Sequence, residues 1–218
     1  MDKFVQIAID GPAAAGKSTI AKIIAEQLGY VYIDTGAMYR AITWATLHKS
    51  VNLNDEQAIM SLLAKTEIVL TPDGLVVVDG LDVTMQIREA NVTAHVSQVS
   101  TYEAIRKELK RRQIALAQKA NVVMDGRDIG THVLPDADFK FFMVADARVR
   151  ALRRHRENVE RGIESDLSSL EADIKKRDEI DANREHAPLK QAKDAILIDT
   201  SALSIHEVVD KMVGFVLY

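Results

Sequence analysis

Apolar positions along the chain fall into two alternating rhythms. Phe4 to Ile9 is a short apolar run stopped by Asp10-Gly11-Pro12, the pattern of a buried strand. Ile20, Ile23, Ile24 and Leu28 then recur at helical spacing, and Gly29 supplies a C-cap. Tyr30 to Ile33 is a second short apolar run, ending at Asp34-Thr35-Gly36. Strand, loop, helix, strand is the unit of a parallel sheet. Buried strands are also predicted at Asn121–Met124, Phe139–Val144 and Ala195–Ile198. Helices are expected over Tyr102–Lys119 and Ile205–Val216, and over most of the highly charged stretch Ala147–Arg184.

The segment Glu67–Thr84 has a different rhythm. Two short apolar runs flank Pro72-Asp73-Gly74, and Asp79-Gly80 precedes a third. Pro and Gly sit where turns want them, and Asp-Gly between apolar runs is a strong hairpin signal. A small antiparallel sheet is expected here, inserted into the α/β unit and covering a substrate instead of joining the main sheet. The division that follows is a core of 1–66, 121–147 and 185–218, an insert region of 67–120, and the charged helical stretch 148–184.

Composition narrows the function. Hydrophobic residues make up 47% of 218 residues, enough for a packed core. The formal net charge of −4 argues against a nucleic-acid coat or a polybasic membrane binder. The chain has no cysteine, which excludes disulfides and thiolate metal sites. The N-terminal residues lack a signal-peptide pattern, and no run reaches the length of a membrane span. A cytoplasmic protein is the expectation.

Gly11-Pro12-Ala13-Ala14-Ala15-Gly16-Lys17-Ser18 fits G-x-x-x-x-G-K-[ST], with Thr19 next. The glycines let successive N–H groups converge on one anion, and the following helix adds the positive end of its dipole. Lys17 has the reach for the β- and γ-phosphates of ATP, and the Ser18 hydroxyl suits Mg²⁺. A bare match arises by chance, but this one lies between a predicted strand and a predicted helix, the context that the motif demands. No Asn/Thr-Lys-x-Asp guanine-reading sequence follows a strand, which argues against a GTPase switch.

Four further segments stand in order: Asp34-Thr35-Gly36-Ala37-Met38-Tyr39-Arg40, Ser97-Gln98-Val99, Asp125-Gly126-Arg127-Asp128-Ile129-Gly130-Thr131, and Arg177-Asp178-x-x-Asp181-x-x-Arg184. With these the chain resembles the bacterial cytidylate kinases over essentially its whole length, including the Glu67–Thr84 insert, and without departure at the motif positions. The resemblance implies a P-loop NTPase fold: a five-stranded parallel sheet flanked by helices, a nucleoside-monophosphate-binding insert, and a helical lid. It implies transfer of the γ-phosphoryl group of ATP to CMP or dCMP. Carried over residue by residue, Thr35, Arg40, Arg127 and Arg184 hold the acceptor phosphate. Ser97, Arg106 and Asp128 read cytosine, and Arg177 and Asp181 contact the sugar.

These roles agree with the chemistry of the residue types. Cytosine offers two acceptors and one amino donor, which an Arg fork and a carboxylate complement. Uracil reverses that pattern at two positions, so UMP should be a poor substrate. Arg177, Asp181 and Arg184 are spaced to share one helix face. In isolation that spacing, like a lone Ser97, more often means a solvated surface.

Arg148, Arg150, Arg153, Arg154, Arg156 and Arg161 crowd a short span, which suits a lid closing on a transferring phosphoryl group. Arg153 and Arg156 are the candidates for transition-state contact. Asp34 is a candidate for positioning Mg²⁺ through water. His95 and His132 lie near motifs without an assigned role. Small-molecule nucleotides are the expected partners, with a monomer as the acting unit. The rival readings are a P-loop kinase with another acceptor, such as UMP, AMP or a small metabolite, and a nucleotide-dependent switch or ATPase.

Overall fold

The computed structural model describes residues 4–160 and 162–217. Arg161 and the first three residues of the N-terminal segment lie outside the described residues.

Five strands form the main sheet: β1 (Gln6–Asp10), β2 (Val31–Asp34), β6 (Val122–Gly126), β7 (Phe139–Val144) and β8 (Ile196–Asp199), in the order β2-β6-β1-β7-β8 and all parallel. β1 is central, with Ile7 opposite both Val123 and Phe139. It is almost wholly buried, as is β6, because helices cover both faces. That is why these strands read as continuous apolar runs. A core of Ile7, Ile9, Ile20, Ile24, Phe141 and Met212 joins β1 and β7 to α1 (Lys17–Leu28) and α8 (Ile205–Leu217).

The register of this sheet places the site. Asp10, Asp34 and Gly126 end their strands at the same edge, with Asp10 opposite Gly126 and Asp34 opposite Asp125. In open parallel sheets ligands bind beyond the carboxyl ends of the strands, which is this edge. Gly29 takes the left-handed conformation at φ 67° and closes α1, its N–H pointing to Ala25 O and Glu26 O, as expected of a glycine C-cap.

The hairpin signals are borne out. β3 (Ile68–Leu70), β4 (Val76–Val78) and β5 (Leu81–Asp82) form a separate antiparallel sheet. Val76 and Val78 pack with Met38, Ile42, Ile59 and Leu63 in a second core. Met38 and Ile42 belong to α2 (Thr35–His48), and Ile59 and Leu63 to α3 (Glu56–Lys65), two helices that the apolar pattern did not announce. A 3-10 turn (Gln86–Arg88) leads into α4 (Ala90–Val99), and α5 (Glu103–Ala117) follows.

The charged stretch splits into α6 (Ala147–Glu160) and α7 (Leu167–Asn183). Arg184 lies just beyond α7 in extended backbone, so the three-residue helix face expected from Arg177, Asp181 and Arg184 shortens to the first two. The reason is local. The Leu189 N–H folds back to Asp181 O at 2.7 Å, turning the chain off the helix axis, and Pro188 keeps the helix from resuming.

Candidate active site

The phosphate loop leaves β1 through Gly11 at φ 149°, where a side chain would meet Met143 O at 2.1 Å. Only glycine fits so close to the neighbouring strand. Ala14 (φ 58°) and Gly16 (φ 88°) turn the chain into α1, and no side chain caps that helix. Its first N–H groups therefore face the cleft, ready for an anion. Lys17 is buried, and its ammonium donates to Pro12 O at 2.7 Å. Burial and the nearby Arg127 push Lys17 well below the ordinary lysine range. A triphosphate would relieve both effects.

Opposite Lys17, at the end of β6, stands Asp125. Its Oδ2 accepts from Ser18 Oγ at 3.0 Å and its Oδ1 from the Tyr32 hydroxyl at 2.8 Å. Burial and the negative charge of Asp34 raise the Asp125 carboxyl above its ordinary value. Thr35 donates its hydroxyl to Asp125 O at 2.7 Å, fixing the strand end against α2. Asp34, the Mg²⁺ candidate from the sequence, caps α2 by accepting from Ala37 N at 2.8 Å, and its other oxygen lies 3.5 Å from Arg88.

A cleft of about 690 Å³ runs from the phosphate loop to a group of arginines. Arg40, Arg88, Arg127, Arg177, Arg153 and Arg154 line it together with the phosphate loop. Burial, with Arg177 and Arg88 beside it, pushes Arg40 down to about 9. Burial and Arg127 push Arg177 down to about 10. Arg177 Nε is buried without a hydrogen-bond partner. Crowded cations and an unused buried donor describe a cavity built for an anion.

Joined to the arginines through Arg127 and Asp181 is a buried polar network. Asp128 receives Arg106 Nη2 at 2.6 Å on one oxygen and Arg184 Nη2 at 3.2 Å on the other. Arg106 also donates to Ser100 O at 3.1 Å. Asp181 accepts from Arg127 Nε at 3.0 Å and lies 3.8 Å from Arg184. Burial alone would raise the Asp181 carboxyl, but Arg127, Arg177 and Arg184 outweigh it and hold it below the ordinary carboxylate value.

The structure thus brings together most of the residues singled out by sequence. Arg40, Arg127, Arg177 and the phosphate loop share one cleft, and Arg106, Asp128, Asp181 and Arg184 form one network. Arg184 sits in that network and not on the cleft wall. Ser97 is half-buried in the last turn of α4, and its carbonyl accepts from Ser100 Oγ. Arg153 lines the cleft and bonds Thr200, whereas Arg156 is exposed and not on its wall.

Several groups escaped the sequence reading. Asp10 accepts from the N–H groups of Ile129 (2.8 Å) and Gly130 (2.7 Å), pinning the π-turn Ile129–Val133 that follows Arg127 and Asp128. Its signal was available: like Asp125, it is a carboxylate at the carboxyl end of a buried strand. Arg88 carried no such signal, and Arg150, Arg154 and Asp178 stood in the arginine-rich span and the Arg177–Arg184 motif without a role of their own.

Comparison with known proteins decides the family. A family model described as cytidylate kinase matches residues 7–217. The chain belongs to the cytidylate kinase family. A curated cytidylate kinase from Geobacillus sp. is 56% identical over 215 residues, 97% of this chain and 96% of the relative. Another, from Bacillus anthracis, is 52% identical over 220 residues, 100% of this chain and 98% of the relative. Among solved structures, a shikimate kinase from Bacteroides thetaiotaomicron superposes with a TM-score of 0.50 at 16% identity, covering 98% of this chain and 99% of that one. An uncharacterised protein from Eubacterium ventriosum reaches 0.54 at 13% identity, covering 98% of each chain. At such identities the two structures share the fold alone. Membership of the family agrees with the resemblance drawn from the motifs, and the parallel sheet with its separate antiparallel insert agrees with the architecture expected from it.

Proposed function

We propose that this cytidylate kinase family member transfers the γ-phosphoryl group of ATP to CMP or dCMP, yielding ADP and CDP or dCDP. One observation carries the proposal: a single cleft is lined both by the phosphate loop and by Arg40, Arg127 and Arg177. Two phosphorylated ligands held by these two groups would meet in the cleft. The curated cytidylate kinases to which the chain is similar supply the acceptor's identity.

The acceptor oxygen needs no general base, because the second pKa of a phosphate ester is about 6. That oxygen attacks the γ-phosphorus in line while the bond to the β–γ bridging oxygen breaks, and ADP leaves with the electron pair. Lys17 and the amides of α1 balance charge on the donor, and Arg40 and Arg127 present the acceptor. Arg153, on the cleft wall, is the better placed of the two lid candidates. Closure of the lid over 148–184 excludes water from the transfer. In this reading the core 1–66, 121–147 and 185–218 grips ATP, and the region 67–120 shapes the monophosphate site.

Cytosine enters by exchange. Its amino group donates to Asp128, and its ring acceptors take N–H groups of Arg106. Ser97 adds a hydroxyl, Arg177 and Asp181 meet the sugar hydroxyls, and Arg184 and Thr35 complete the acceptor-phosphate end. Mg²⁺ fits at Ser18 and Asp125: a hydroxyl and a carboxylate 3.0 Å apart, the carboxylate carrying a buried negative charge that a cation would stabilise. When bound, the ion would neutralise charge on the phosphates. Asp34 is held by the α2 cap and by Arg88, which leaves it a supporting role through water.

Nucleotides are the partners in this reading, and a cytoplasmic monomer the acting form. Among the described residues no helix is long and apolar enough to cross a membrane. An acceptor panel of CMP, dCMP, UMP and AMP with Mg-ATP, read by ADP release, tests the proposal. ADP release with UMP or AMP and not with CMP or dCMP would overturn it.

A further inference from the structure

One residue of the phosphate loop is held from the opposite end of the chain. Ala13 O accepts from Arg150 Nη1 at 2.9 Å, and Ala13 N–H points to Asp178 Oδ1 at 3.3 Å. Arg150 and Asp178 pair with each other at 2.7 Å, and Arg150 Nε donates to Ala145 O at 2.8 Å. Arg150 is 5% exposed, so this guanidinium is not a solvated surface group. Both backbone groups of a single loop residue are therefore read by one ion pair from α6 and α7.

What these helices carry gives the contact its meaning. Arg153, one turn after Arg150 on α6, lines the cleft. Arg177 precedes Asp178 on α7, and Asp181 follows one turn later. The donor loop, the lid and the acceptor helix thus meet at Ala13.

A buried ion pair is a poor source of stability, since desolvation offsets most of its attraction. Its strength is geometry, because a planar fork fixes direction as well as distance. In-line transfer requires that geometry: a displacement of about 1 Å between reacting groups can cost about 100-fold in rate.

We propose that Arg150 and Asp178 are positioning residues, a brace at Ala13 that aligns the acceptor helix and the lid with the donor phosphate loop. Neither side chain need touch a nucleotide. The proposal rests on the phosphoryl-transfer reading above and adds what sets the relative placement of the two ligands. Loss of the brace leaves each nucleotide its own contacts but spoils their alignment and admits water.

The test uses the full chain with Arg150→Met, Asp178→Ala and Asp178→Asn. Three quantities are measured: kcat, KM for ATP and for CMP, and the ratio of ATP hydrolysed to CDP formed. For Arg150→Met and Asp178→Ala, kcat falls by about 10- to 100-fold, both KM values stay within about threefold, and the hydrolysis ratio rises. A loss confined to KM for ATP, or a hydrolysis ratio equal to that of the unsubstituted chain, overturns the brace. Asp178→Asn keeps shape and an acceptor for Ala13 N–H. If thermal melting shows the other two unfolded, it decides alone by whether kcat falls and the ratio rises. Absence of CDP from the unsubstituted chain would instead refute the assigned reaction. Normal CDP formation with unaltered partition in the variants refutes only the brace.

Discussion

Asp128→Asn separates base reading from every other role in the cleft. The substitution keeps the shape and removes the charge that Arg106 and Arg184 share at 2.6 and 3.2 Å. Arg184 retains Asp181 at 3.8 Å, but among the described residues no other acidic group forms an ion pair with Arg106. A charge left unpaired in a buried site costs about 3–5 kcal/mol, so the variant should melt at a lower temperature and be assayed cold. For catalysis, the cytosine amino group loses a charged acceptor, a bond of about 1.5–3 kcal/mol. That predicts a drop of about 10- to 150-fold in kcat/KM for CMP at saturating ATP. UMP should lose little or improve, because the amide can donate to the uracil carbonyl that faced a carboxylate. KM for ATP should stay within about threefold, since Asp128 lies outside the phosphate loop's walls. Initial rates by coupled ADP release, beside a thermal melt, give all of these values. A fall of equal size for CMP and UMP, or a parallel rise in KM for ATP, would refute the assignment of Asp128 to the base.

Lys17→Ala should abolish CDP formation while the chain stays folded, because the buried ammonium is held at a cost that its removal relieves; near-normal turnover by the same ADP assay would contradict its role. Asp10 has its carboxyl pushed up to about 6 by burial, against an ordinary value of 3.8. Its protonated form is favoured by folding, so the native state binds the extra proton and stability rises as pH falls from about 6 toward 4. Denaturant titrations at pH 7 and pH 4 should show the unsubstituted chain gaining up to about 3 kcal/mol relative to Asp10→Asn on acidification, and a gain in the opposite direction would reverse the reasoning. Gly11→Ala should yield little folded protein on expression, since its Cβ would stand 2.1 Å from Met143 O; a folded, active variant would mean that this edge of the sheet yields freely.

The strands and the phosphate loop were legible because their signals are local. A buried parallel strand is a contiguous apolar run, and the loop is a contiguous motif between two elements. α2 was not legible for the opposite reason. Its buried residues run from Thr35 through Ala37, Met38, Ala41, Ile42, Thr43, Ala45 and Thr46, covering most of its circumference and erasing the amphipathic period. The site divides in the same way. The residue types for anion and cytosine recognition were readable from motifs, but their partners were not. The Ala13–Asp178 contact spans 165 positions, and no periodicity links such residues. Arg153 and Arg156 look alike along the chain; only the packing of α6 puts the first on the cleft wall and leaves the second exposed.

The loop and the arginines that line the same cleft are built to bring two phosphorylated nucleotides together for transfer. Incubation of the purified chain with saturating CMP and Mg-ATP, resolved by anion-exchange chromatography, tests it most directly. Equimolar appearance of CDP and ADP is the predicted result. ADP without CDP, or neither product, would contradict it.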